Sequence, residues 1–121
     1  MVFANADDAG HFALELAAAT NRFDRGAWGL PTTFSLRIAL HCGPVHYAID
    51  PLTGRALYTG PHTSRAARIE PITPPGQVYA SNAFAAVAAA YGSAFAMNYV
   101  GRIPLAKGYG TLGLYHLRGA A

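Results

Sequence analysis

The chain has 121 residues, 52% of them apolar and 12% charged, which is enough for one packed domain and argues against disorder. No apolar run reaches the length of a membrane span, and residues 1–12 have neither the basic start nor the apolar stretch of a secretory signal, so a cytoplasmic location is expected. The formal charge of +3 comes from nine scattered basic residues, of which only Lys107 is lysine, so a nucleic-acid partner is not expected; with Cys42 the only cysteine, an intrachain disulfide is excluded.

In chain order, Ala9, Phe12, Ala13, Leu16, Ala19 and Phe23 recur at helical steps over Asp7–Phe23, with Asp7 and Asp8 near the positive end of the helix dipole. The segment 24–33 carries Gly26, Gly29 and Pro31 and reads as a loop. Phe34, Leu36, Ile38 and Leu40 then alternate with Ser35, Arg37, Ala39 and His41, the pattern of a strand with one buried face. After His41-Cys-Gly-Pro44 the chain continues extended from Val45 to Ile49, turns at Asp50–Gly54 and returns over Ala56–Tyr58.

Gly60-Pro61 opens a short helix to about Ile69, because proline in a first turn has no amide partner to lose; Pro71, Pro74 and Pro75 stop it. A short strand follows over Gln77–Ala80. Ser81 or Asn82 caps the next helix, in which Phe84, Val87, Ala88 and Tyr91 share a face. Extended runs over Phe95–Val100 and Thr111–Arg118 flank a loop spanning Gly101–Gly110. Helices between strands predict an α/β sandwich with one mixed sheet, in a single domain over 1–121.

Three segments together resemble the class III adenylate and guanylate cyclase homology domain. Leu36-Arg-Ile-Ala-Leu-His-Cys-Gly-Pro-Val45 is similar to the family's strand and glycine turn, of the type R-I-G-x-H-x-G-x-V. Tyr58-Thr-Gly-Pro-His-Thr-Ser-Arg-Ala-Ala-Arg-Ile-Glu70, followed by Pro75-Gly-Gln-Val-Tyr-Ala-Ser81, resembles its active-site helix and the strand after it. Val100-Gly to Ala106-Lys-Gly108, then Leu114-Tyr-His-Leu117, resembles its closing segment. The resemblance implies a ferredoxin-like cyclase fold with an incomplete mixed sheet. It also implies a nucleoside triphosphate as substrate and a homodimer or a partner cyclase domain, because the family's active sites lie between protomers.

Residue by residue, the resemblance assigns Arg68 to the family arginine that stabilises charge on the transferring phosphate, a task suited to a planar guanidinium with parallel donors. Lys107 falls on the lysine that contacts the terminal phosphates, and Gly60 on the glycine before the active-site helix. Two positions depart from the pattern. Ser64 stands where the family has a ribose-orienting asparagine and has a shorter reach. Leu57 stands where a base-reading aspartate or cysteine is usual, and it offers no hydrogen bond.

The family's first strand with its aspartate, and the Gly-Asp hairpin with the second, precede the matched segments. The complete domain is expected to need Mg or Mn, yet no metal site is expected in this chain: Asp7 and Asp8 are adjacent and diverge by about 100° on a helix, and Asp50 belongs to a turn. The resemblance therefore implies a partial domain that begins after its metal-binding segment and is inactive alone. The alternative is a degenerate nucleotide-binding or dimerisation module. An unpaired sheet edge is expected to make the chain self-associate. His41, Cys42 and His46 read as structural and not metal-binding; His62 and Arg65 are within reach of a phosphate on the active-site helix but read as residues of the helix surface.

Overall fold

A computed structural model of the chain describes residues 2–22, 26–29, 36–44, 46–92, 94–105, 108 and 110–119. Helix α1 spans Ala6–Arg22. Asn5 closes its start: its Oδ1 accepts the Asp8 amide at 2.8 Å, and its Nδ2 donates to Asp8 Oδ2 at 3.0 Å. The buried stripe is Ala6, Ala9, Gly10 and Ala13. Phe12 and Leu16, expected inside from their spacing, are 40% and 37% exposed. The small residues are what turn the helix: they let its backbone lie close to the sheet, and a Cβ on Gly10 would come within 2.5 Å of Phe95 Cζ. Phe12 instead meets the ring of Phe3 at 5.3 Å.

The main sheet has four strands in the order β1-β4-β6-β5, with β1 at Ile38–Leu40, β4 at Val78–Ser81, β5 at Phe95–Pro104 and β6 at Thr111–Gly119. β1 and β4 run parallel, Ile38 beside Val78; the other neighbours are antiparallel. The predicted loop over 101–110 is shorter than expected, because β5 continues to Pro104. A bulge at Val100 permits this: Tyr99 faces Tyr115 and Gly101 faces Leu114, so β5 spends one extra residue and its alternation changes face. β1 is shorter than the predicted strand; Phe34 and Ser35 lie outside the described residues, and Leu36 holds the chain before β4 through its carbonyl, which accepts from Gly76 N at 2.7 Å.

Strands β2 (His46–Ile49) and β3 (Ala56–Thr59) form a separate antiparallel hairpin. Its turn is closed as the sequence suggests, with Asp50 Oδ1 accepting the Leu52 amide at 2.9 Å and the Asp50 carbonyl accepting from Gly54 N at 2.8 Å. The connection from β1 back to its parallel neighbour β4 runs through this hairpin and then α2, Pro61–Ile69. Helix α3, Asn82–Ala90, starts on Ser81, whose Oγ accepts the Phe84 amide at 3.1 Å. Its buried face is Phe84, Ala85 and Ala88; Tyr91, expected on that face, lies beyond the helix and is 80% exposed.

Two cores cover the two faces of the sheet, so β1 is not a strand with a single buried side. One core joins Ala6, Ala9 and Ala13 of α1 to Phe84 and Ala88 of α3 and to Val78, Ala80 and Leu117, with Ile38 and Leu40 packed against it. The other joins Ile69 of α2 to Leu105 and Leu114, with Ala39 and Tyr79 against it. Alternation along β1 and β4 thus sends side chains to both layers. No described helix is long and apolar enough to cross a membrane.

Leu117 lies at 1% exposure in the first core, whereas Leu52 at the hairpin tip is 94% exposed. Leu117→Ala should lower the free energy of unfolding by about 3 kcal/mol, as buried leucine truncations do, and Leu52→Ala by less than about 0.5 kcal/mol, both read from urea denaturation curves.

Candidate functional site

Helix α2 carries the predicted site, and its rotation follows from what it buries. Ile69 has no exposure and enters the second core. At about 100° per residue, Ser64 and Arg68 then fall one turn apart on a common side, well away from Ile69. Ser64 is exposed and Arg68 half-buried in the last turn. The pair leaves a hydroxyl and a guanidinium on the same face, suited to hydroxyl and phosphate oxygens respectively.

Gly60 precedes the helix with φ of 134°, a conformation that strains any residue with a Cβ, and Pro61 fills the first helical position. Leu57 lies on β3 opposite Ala48 and is 45% exposed; β3 packs against α2. Lys107 lies outside the described residues, as does Ala106 beside it. The structure therefore brings Gly60, Ser64 and Arg68 together on one element and puts Leu57 on the strand leading into it.

The opposite side of α2 was read from sequence as helix surface, and here the structure differs. His62 is half-buried, and its Nδ1 lies 2.9 Å from Nε2 of His41; the two rings stack with centroids 5.1 Å apart and planes at 29°. His41 Nδ1 lies 2.7 Å from the buried Ser81 Oγ. No spacing rule links residues 41, 62 and 81; the parallel crossover from β1 through α2 to β4 brings them together. The one legible hint is Gly43, where a Cβ would run into the His62 ring. His41 is thus structurally engaged, as expected, but with His62 and Ser81. Arg65 is exposed, as read.

Burial pushes His41 down to about 4, with the electrostatic influence of nearby His62 and then Arg65 adding to the effect. Burial also raises the Cys42 thiol, which keeps it protonated at neutral pH and weakly nucleophilic. Desolvation lowers His116, with Arg118 adding to the effect.

His41, Cys42, Gly43 and His62 line one end of a groove of about 1080 Å³ between α1 and β1, whose walls include Phe3, Phe12, Leu40 and Phe84. Among the described residues, no strand pairs with the groove side of β1. Asp7 and Asp8 also border the groove, but Asp7 Oδ2 is 3.5 Å from His11 Nε2 and Asp8 accepts from Asn5. Asp50 closes the hairpin turn. These carboxylates do not converge, and the described residues include no group of three or more His, Cys, Asp or Glu placed to hold a metal ion.

The low proton affinity of folded His41 has a testable sign. Between the unfolded value of 6.5 and the folded value of about 4, the unfolded chain binds the extra proton, so His41 supports the fold above pH 6.5 and that support is lost as pH falls toward 4. The thermal midpoint should drop over this window, and the drop should be smaller in His41→Gln, as measured by circular dichroism melts at matched ionic strength.

No family model and no curated protein matches the sequence. Solved structures do. The chain is similar to an adenylate cyclase structure from Trypanosoma brucei described in its monomeric state, with TM-score 0.72 and 18% identity over 96% of this chain and 64% of that one. It is similar to the guanylate cyclase domain of RhGC from Catenaria anguillulae in complex with GTP, with TM-score 0.72 and 20% identity over 100% of this chain and 63% of that one. It is also similar to a dimeric guanylyl cyclase domain of the RhoGC fusion protein from Blastocladiella emersonii, with TM-score 0.71 and 17% identity over 99% and 62%. The chain thus spans less than two thirds of the length of these solved chains.

Proposed function

We propose, for a chain that has the fold of the adenylate and guanylate cyclase catalytic domain, that it forms the substrate-holding part of a nucleoside triphosphate cyclase site. Arg68 binds the phosphate that is transferred, Ser64 faces the ribose, Gly60 lets the backbone approach the ligand, and Lys107 meets the terminal phosphates. Leu57 lies at the base end and contributes contact without a hydrogen bond. The observation that carries this reading is the shared face of exposed Ser64 and half-buried Arg68 on α2, one turn apart, while Ile69 on another side is buried.

In the reaction, the ribose 3′ oxygen attacks the α-phosphorus in line, the bond to the β-phosphate oxygen breaks, and pyrophosphate leaves as the cyclic ester closes. Negative charge grows on the phosphate oxygens, and a fixed guanidinium is stronger there than water because it needs no reorganisation. The complete domain would draw on Mg or Mn to activate the attacking oxygen. The family's metal-binding aspartates precede the matched segments, which supports a chain that does not cyclise nucleotides by itself. The edge of β1, which no strand among the described residues pairs, supports completion of the site by further polypeptide, from a second copy or a partner cyclase domain.

Leu57 and Ser64 favour one further reading, a cyclase-like module that binds a nucleotide or dimerises without turnover, because both replace the hydrogen bonds that orient base and ribose.

The 121-residue chain with Mn and ATP or GTP should yield no cyclic nucleotide. Joined behind the first strand and Gly-Asp hairpin of a cyclase domain, it should become active, and Arg68→Ala should lower that activity by about 10²-fold or more, the scale for removing a donor from a transition-state anion. Product is measured by chromatography. A completed domain that makes no product from ATP, GTP, CTP or UTP contradicts the first reading, and nucleotide binding seen by calorimetry in that same protein favours the second.

A further inference from the structure

The contact between His41 Nε2 and His62 Nδ1, at 2.9 Å, has room for one proton and no more. Either ring can supply it, because Ser81 Oγ, 2.7 Å from His41 Nδ1, can give or take a hydrogen bond on the far side. The pair is therefore neutral or singly charged while the contact lasts. Two imidazolium rings would turn two N–H groups against each other, and neither would find an acceptor. This limit holds whichever way the protons run.

What the contact secures is the start of α2. Helices α1 and α3 open on side-chain caps, Asn5 and Ser81, whereas α2 opens on Gly60, which has no side chain to offer. His62 stands in the first turn, where added positive charge opposes the helix dipole. The far end is fastened differently: Ile69 is buried in the second core, and its carbonyl accepts from Thr73 Oγ1 at 2.9 Å.

The groups that face the pair offer no compensating negative charge. Arg65 of α2 opposes protonation of His41, Cys42 of β1 is held as a thiol, and Ser81 of β4 is uncharged. On α1, across the groove, Asp7 lies against His11 and Asp8 bonds to Asn5; α3 contributes only Phe84 and Val87 to the groove wall.

We infer that the His41–His62 pair is an acid-released latch: the second proton taken up by the pair parts the rings and frees residues 61–65, while Ile69 keeps the rest of α2 on the sheet. Once open, His41 takes a proton at its ordinary value of 6.5; latched, it stays neutral until about 4. Acid therefore favours the open form, and the ratio of open to latched rises about tenfold per pH unit between those values. Above 6.5 the ratio is constant. Ser64 moves with the freed turns and Arg68 stays beside Ile69, so acid would part the two residues of the proposed substrate face; the latch itself does not rest on that reading.

The test is amide hydrogen exchange of the 121-residue chain between pH 7 and pH 4, corrected for the intrinsic effect of pH, with NMR of the histidine rings on the same samples. The reporting amides are those of Arg65, Ala66 and Ala67, which bond back to the carbonyls of 61–63 in an α-helix. Their protection should fall about tenfold per pH unit below 6.5, the cross-peaks between the His41 and His62 rings should fade over the same range, and protection in β6 should hold. His62→Ala should show low protection at these amides already at pH 7 with no further fall, and His11→Gln should follow the unaltered chain. Three results in the unaltered chain would each overturn the latch without any variant having to fold. These are protection at 65–67 that ignores pH, two protonated rings whose cross-peaks persist, and loss of protection in β6 in step with 65–67. None of them bears on nucleotide binding by Arg68 at neutral pH.

Discussion

The position of α2 is the constraint on which the site depends, and it is set by two unlike contacts. At the C-terminal end Ile69 is buried against Leu105 and Leu114, which fixes the helix in depth and rotation. Near the N-terminal end His62 is tied to His41, at the end of β1. The apolar contact is the stronger: burying an isoleucine is worth about 1.5–3 kcal/mol, against about 1 kcal/mol for a typical hydrogen bond. The polar contact is the more directional. Together they set a rotation of the helix that leaves Ser64 exposed and Arg68 half-buried one turn apart on another side from Ile69.

Such an arrangement follows from a sheet covered on both faces. Alternation along β4 sends Val78 and Ala80 toward α1 and α3 and Tyr79 toward the α2 side. Ser81, the last residue of that strand, is at once the cap of α3 and a hydrogen-bond partner of His41. One buried side chain therefore couples a strand end, two helices and the groove.

Much of this was legible in the sequence because the signals are local. Pro61, Pro71 and the Ser81 cap set the bounds of α2 and α3, and Asp50 closes its own turn as its residue type suggests. The cyclase-like pattern around His41, Ser64 and Arg68 led to the fold that the solved structures share. What was missed depends on contacts between distant segments. The inward face of α1 is its alanine and glycine stripe, because close approach to Phe95 outweighs the larger burial that Phe12 and Leu16 would have gained. The bulge at Val100 has no propensity signature and lengthens β5 into the expected loop. The pairing of His62 with His41 arises from a crossover that no short window contains.

The groove between α1 and β1, which His62 and Ala66 line, and the proposed substrate face with Ser64 and Arg68 thus lie on different sides of α2. That division separates where further polypeptide would dock from where a nucleotide would sit, and the two events need not compete.

The central claim, that a nucleoside triphosphate binds through α2, is tested most directly by amide hydrogen exchange with and without GTP and ATP. Binding at Ser64 and Arg68 predicts slower exchange across 61–69 with one or both nucleotides, and unchanged exchange in β5. Exchange in 61–69 that neither nucleotide alters, at concentrations where binding is independently saturated, would contradict the account.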